Sequence, residues 1–232
     1  MNLRDERIKR ADLFANHVPE SICPAEVREL VDKVKPVNPT FREGLCNAVS
    51  AIKKKDVDSF LEHGWRTVYQ EGFSWHLDFG STEAEAMRAR TFNDERLFGT
   101  TCVNFITFAM LNCYGVGDHP DKLWDHMQRY GDYVISWKDT AWMNDATVTW
   151  GDSQQNVMAF PYSEDMVNKL LAIHTDTGIN VQPCIDSGAF NGEHNPYLEI
   201  QIHKKLTDDD VSGYMIKRKG EVISVDLSTN AG

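Results

Sequence analysis

From Gly64 onward the chain consists of short β-prone runs divided by single helix candidates, and this irregular order constrains the fold more than any other feature. Trp65 to Tyr69, Tyr133 to Trp137, Thr147 to Trp150, Tyr197 to His203 and Val222 to Val225 are rich in the β-branched and aromatic residues that suit a pleated surface. Helix candidates lie between them at Glu83 to Arg90, Val103 to Asn112, Pro120 to Arg129 and Ser163 to Thr175. Ser163 offers an N-cap oxygen, but Met166 rather than Glu stands three residues on, so no full capping box is expected. The order has no βαβ regularity and no GxGxxG, which argues against a doubly wound nucleotide fold and for an α+β fold with a mixed central sheet.

The first 62 residues have a different texture, of helices broken by prolines: Leu3 to Asn16, Pro24 to Val34, Phe41 to Ala51 and Val57 to Glu62. Within the second, Val27, Leu30, Val31 and Val34 fall on one face at i, i+3, i+4, i+7 spacing. The run Val34-Lys35-Pro36-Val37-Asn38-Pro39 ends it, because proline disfavours helical geometry in the residue before it. The expected division is a helical N-terminal region over 1–62 and an α+β domain over 63–232.

With 41% hydrophobic positions, 232 residues can bury a full core as one domain, with or without a helical extension. Twenty-four Lys+Arg against 35 Asp+Glu leave a formal charge of −11, which repels phosphate polymers at long range and disfavours broad nucleic-acid binding. The longest apolar stretch, around Val103 to Leu111, contains Asn104 and Thr107 and is too short to span a bilayer. The opening MNLRDERIKR is charged, so no secretory signal is expected and a cytoplasmic location is. Cys23, Cys46, Cys102, Cys113 and Cys184 form no CxxC pair and read as reduced thiols. The eight histidines, His119, His126, His174 and His194 among them, show no HxH, HxxxH or HxxE spacing on one element, so no metal is expected.

Three segments carry candidate chemistry. Gly64 to Ser74 is a short strand with Arg66, then a Gly72-Phe73-Ser74 turn. Ala146 to Ser153 is a strand running into Gly151-Asp152-Ser153. Pro196 to His203 is a strand followed by Leu206-Thr207-Asp208-Asp209-Asp210-Val211. Alternation in the third sets Leu198, Ile200 and Ile202 on a core face and Glu199, Gln201 and His203 on the other, either exposed or lining a cleft.

In that order these segments resemble a bacterial ADP-ribosyltransferase-like family of the toxin type. The family pairs a Tyr-Arg-Ser strand ending in a Gly-Thr-Ser turn with a Thr-Phe-Thr-Tyr-Gly-Asp-Ser strand. A late Glu-Ala-Gln-Val-His-Gly strand follows, and then a Leu-x-x-Asp-Val helix start. Arg96-Leu97-Phe98-Gly99 matches a further family segment, and the resemblance spans Gly64 to Val211. It departs at Lys204, where the family has glycine, and at Trp75-His76, where it has Asn-Gly; a Ser-Thr-Ser second motif has no literal counterpart, and Thr149 or Ser153 fills it by position.

The resemblance implies a sheet of ADP-ribosyltransferase type, NAD⁺ as substrate and a protein or nucleic-acid acceptor. An intracellular toxin of this kind would also need a neutralising antitoxin partner. A carboxylate beside the nicotinamide ribose stabilises the developing oxocarbenium ion more than the ground state, and Glu199 is the candidate, with Gln201 and His203 orienting the acceptor or the ribose. Arg66 would grip a phosphate with its planar fork. Gly72, Ser74, Thr149, Asp152 and Ser153 would approach and hydrogen-bond the cofactor, and Tyr197, Trp75 or Trp150 could stack on nicotinamide.

Two other readings compete. Cys102 at the start of the Val103 helix candidate, with His194 or His203 as base, would make a thiol hydrolase, although the apolar helix suggests a core thiol. In a non-enzymatic binding protein, Glu199 and Arg66 would be an ordinary cross-strand ion pair.

Overall fold

The computed structural model describes residues 25–36, 48–65, 107–111, 120–151, 153, 159–175, 178–190 and 197–226. Eight strands among them join in one sheet: β1 Ala48–Ile52, β2 Thr107–Leu111, β3 Tyr133–Trp137, β4 Ala146–Trp150, β5 Phe160–Pro161, β6 Leu198–Ile202, β7 Val211–Arg218 and β8 Glu221–Asp226. Their order is β5-β4-β6-β2-β1-β3-β7-β8. Every ladder is antiparallel. The fold is therefore α+β, as expected, but the sheet is antiparallel where a mixed one was expected. A single parallel bridge joins Gly151 and Leu198.

Of the described helices, α1 (Ala25–Lys33), α2 (Val57–His63), α3 (Pro120–Met127) and α5 (Glu164–Thr175) answer sequence expectations, while the short α4 (Asp139–Trp142) and α6 (Gln182–Asp186) carry no periodic signal. Val27 and Val31 of α1 are buried on the face that the spacing assigned. Ser163 caps α5 by accepting the Met166 N–H at 3.1 Å, which fixes that helix start where the sequence puts it.

The sheet separates two apolar layers. One face carries Ala48, Ile135, Trp137, Val148, Trp150, Leu198, Ile200 and Ile202 and packs against α1, α5 and α6 through residues such as Val31, Leu170 and Cys184. The opposite face carries Val49, Met110, Val134 and Met215 under Trp124 and Met127 of α3. The eight core-face side chains bury an extended apolar area, at about 25 cal/mol per Å² the main force holding strands and helices together.

Two helix expectations are overturned. Ala48–Ile52, where the Phe41 to Ala51 candidate ends, is the strand β1, and Thr107–Leu111 inside the Val103 to Asn112 candidate is the strand β2. Both are central strands with apolar layers on either side, so they read as continuous apolar runs, and Ala, Met and Leu carry a helical preference that the sheet overrides. The segment expected as a helical extension thus supplies a strand from the middle of the sheet. A third correction follows Leu206. Thr207 and Asp210 do form a capping box, but around the single 3-10 turn Asp208–Asp210, after which the chain enters β7 instead of a helix.

Two glycines are demanded by geometry. Lys219 and Gly220, with φ of 53° and 90°, make the two-residue turn between β7 and β8, the left-handed backbone that matches strand twist. A Cβ on Gly131 would lie 2.6 Å from the backbone N and O of Ile52, so only glycine lets the start of β3 pass the end of β1. That crossing is pinned by the Asp132 N–H donating to Ile52 O at 2.9 Å and the Lys54 N–H donating to Asp132 Oδ2 at 2.7 Å.

Candidate functional site

The third segment folds as β6, between β4 and β2, with Glu199 opposite Thr149 on one side and Met110 on the other, and Gln201 opposite Thr147 and Phe108. Leu198, Ile200 and Ile202 face the core as alternation demands. Glu199, Gln201 and His203 are buried too, and so are Thr147, Thr149 and Ser153. Of the two options open to that face, solvent exposure is therefore corrected: these are interior polar groups. Gln201 lies between Thr147 and Phe108 across the two ladders, and the polar groups of this face hydrogen-bond to one another in place of water.

Interior polar groups need partners, and Glu199, Gln201, Thr147 and His203 are linked in a chain. Gln201 Nε2 donates to Glu199 Oε1 at 2.8 Å and lies 3.4 Å from the Glu199 carbonyl oxygen. The Thr147 hydroxyl donates to Gln201 Oε1 at 2.9 Å, and Thr147 Oγ1 stands 3.0 Å from His203 Nε2. The His203 backbone N–H donates to Asp145 O at 2.8 Å, which fixes the residue just beyond the strand end. A lone buried carboxylate would cost several kcal/mol, and the Gln201 amide offsets part of that by a charge-assisted bond. Low local polarity strengthens each link, so the set holds Glu199 in one orientation.

Thr147 is the member that the sequence expectation missed. Its signal was available: it lies two residues before Thr149 and hence on the same face, directly across the ladder from Gln201. Thr149 sits directly opposite Glu199, about 5 Å away between Cβ atoms in such a pair. Gly151, at φ 71°, follows β4, and Ser153 is buried. Tyr197 belongs to the smaller apolar cluster and its ring centroid lies 4.7 Å from that of His126 on α3. Trp150 is committed to the main core, stacked on Phe190 with centroids 4.1 Å apart. Arg66, Gly72, Ser74, Trp75, Asp152, Cys102 and His194 lie outside the described residues.

Among the described residues no group of three or more His, Cys, Asp or Glu side chains could hold a metal ion, and no helix is long and apolar enough to cross a membrane. No protein-family model, curated protein or solved structure matches the chain. The geometry of β4 and β6 is therefore the ground on which a functional reading stands: a fixed, buried carboxylate with an amide, two threonines and an imidazole along one face.

Proposed function

We propose that the chain is an NAD⁺-dependent ADP-ribosyltransferase, with a sheet of that enzyme type, and that Glu199 is its central catalytic group. The observation that carries the reading is the Gln201 amide fastening the Glu199 carboxylate at 2.8 Å on a buried strand face opposite Thr149. Cleavage of the nicotinamide–ribose bond leaves positive charge on C1′ and the ring oxygen. A carboxylate already oriented, with little water to screen it, stabilises that charge without reorganising as the bond breaks.

In this reading Thr149 fills the second family motif, since it neighbours Glu199 across the ladder, while Ser153 lies beyond the turn. Arg66 grips the pyrophosphate and the Gly72 and Ser74 turn approaches the cofactor, with Asp152 and Ser153 as further polar contacts. Gln201 serves Glu199 directly, and His203 at the strand end is suited to orient the ribose or the acceptor. Tyr197 borders the site from the smaller cluster. The acceptor is a protein or nucleic acid, and an antitoxin protein would be the neutralising partner of such an activity in the cytoplasm.

Calorimetric titration with NAD⁺ in the presence of a chelator tests the cofactor assignment. Binding without metal is expected. Absence of binding up to millimolar NAD⁺, or binding only with added zinc, would overturn it.

A further inference from the structure

The hydrogen bonds between His203 and Glu199 fix more than positions, because each shared atom allows only one direction of donation. Thr147 has a single hydroxyl proton and stands between two groups, Gln201 Oε1 at 2.9 Å and His203 Nε2 at 3.0 Å. Gln201 turns its NH₂ toward Glu199 Oε1 at 2.8 Å, as an ionised carboxylate requires, and so its carbonyl oxygen faces Thr147. An amide carbonyl oxygen cannot donate, so the hydroxyl proton is drawn to Gln201 Oε1. The lone pair that remains on Thr147 then faces His203 Nε2, which must carry a proton to complete the bond. Donation runs one way, from His203 through Thr147 and Gln201 to Glu199.

The opposite polarity is equally self-consistent. If Glu199 held the proton, its hydroxyl would donate to Gln201 Oε1 after an amide flip, the Gln201 NH₂ would donate to Thr147, and Thr147 would donate to a bare His203 Nε2. Within either amide orientation, reversing Thr147 or His203 alone leaves two acceptors or two donors face to face inside a buried site, which the low local polarity makes costly. An ionised Glu199, bonded through the Gln201 amide as it stands, therefore corresponds to His203 protonated on Nε2.

We propose that Thr147 is a positioning residue that ties the proton order of His203 to the ionised state of Glu199, so that the carboxylate and the imidazole act in one defined protonation pair. The consequence for turnover rests on the ADP-ribosyltransferase reading above; the proton order itself does not. Thr147 touches neither substrate nor reacting atoms in this scheme and works through Gln201 and His203.

The test is long-range ¹H–¹⁵N spectroscopy of the full chain labelled on histidine nitrogen, with His203→Asn used to assign the resonance among the eight histidines. At neutral pH the wild-type spectrum is expected to report a protonated Nε2 at His203. Thr147→Ser keeps the hydroxyl and should keep that signature, whereas Thr147→Val should change it. A bare Nε2 in the wild type, or an unaltered spectrum in Thr147→Val, would overturn the proposal; should Thr147→Val fail to fold, the wild-type and Thr147→Ser spectra decide alone. In transfer assays Thr147→Val should lower kcat about a hundredfold with NAD⁺ affinity little changed, and Thr147→Ser should restore it. Failure to bind NAD⁺ would defeat the enzymatic reading but leave the spectroscopic result standing, so the two failures are distinguishable.

Discussion

Gln201→Leu removes the middle of the buried chain at nearly constant volume, and the structure sets the size of the loss. Glu199 Oε1 gives up the donor that now stands at 2.8 Å, a charge-assisted bond worth about 1.5–3 kcal/mol. The Thr147 hydroxyl gives up the acceptor at 2.9 Å, worth about 1 kcal/mol. Leucine returns about 1 kcal/mol by burying apolar carbon in place of the amide. The net expectation is destabilisation of about 1.5–3 kcal/mol, read by urea unfolding as a fall of about 1 M in midpoint at unchanged slope. Because Thr147 and Gln201 share a bond, Thr147→Val and Gln201→Leu together should cost less than their sum by at least about 0.5 kcal/mol. A loss below about 0.5 kcal/mol in Gln201→Leu, or strict additivity in the pair, would refute the claim that this face is a coupled interior network.

Other expectations follow from single atoms. Gly131→Ala drives a Cβ to within 2.6 Å of the Ile52 backbone and should lower stability by more than about 2 kcal/mol, seen as a fall in Tm; a neutral result would mean the crossing can open cheaply. Ser50→Ala leaves the Trp137 indole N–H, which now donates to Ser50 Oγ at 3.0 Å, without that acceptor inside the core. It should cost about 1–3 kcal/mol, with a change in tryptophan near-ultraviolet dichroism; no change in either would contradict the bond.

How much of this was legible in the sequence depended on where each element sits. β3 is legible residue for residue, because Tyr133-Val134-Ile135-Ser136-Trp137 is strongly β-prone and Gly131-Asp132 precede it. α5 was legible through its Ser163 cap. β1 and β2 were not, because central strands covered on both faces lose the alternation that distinguishes a strand from a buried helix. β7 is hidden because the resemblance implies a helix start after Leu206, where the chain makes only one 3-10 turn before the strand. At the candidate site, alternation in Leu198 to Ile202 correctly grouped Glu199 with Gln201 and His203, since side-chain period is a local property. Their burial and the part played by Thr147 depend on which strand lies alongside, a non-local fact that the order β5-β4-β6-β2 supplies and residue spacing does not.

The central claim is that Glu199 is catalytic by virtue of its charge, and transfer of label from NAD⁺ tests it most directly. The full chain is incubated with NAD⁺ labelled in the adenylate and a cell lysate, and the products are digested with protease or nuclease to identify the acceptor. Wild-type protein should label a macromolecule. Glu199→Gln, which keeps shape and can still accept from Gln201 Nε2, should bind NAD⁺ but transfer a hundred to a thousand times more slowly, a loss of about 3–4 kcal/mol in transition-state stabilisation. Transfer by Glu199→Gln at the wild-type rate, or no labelling by wild-type protein, would contradict the account.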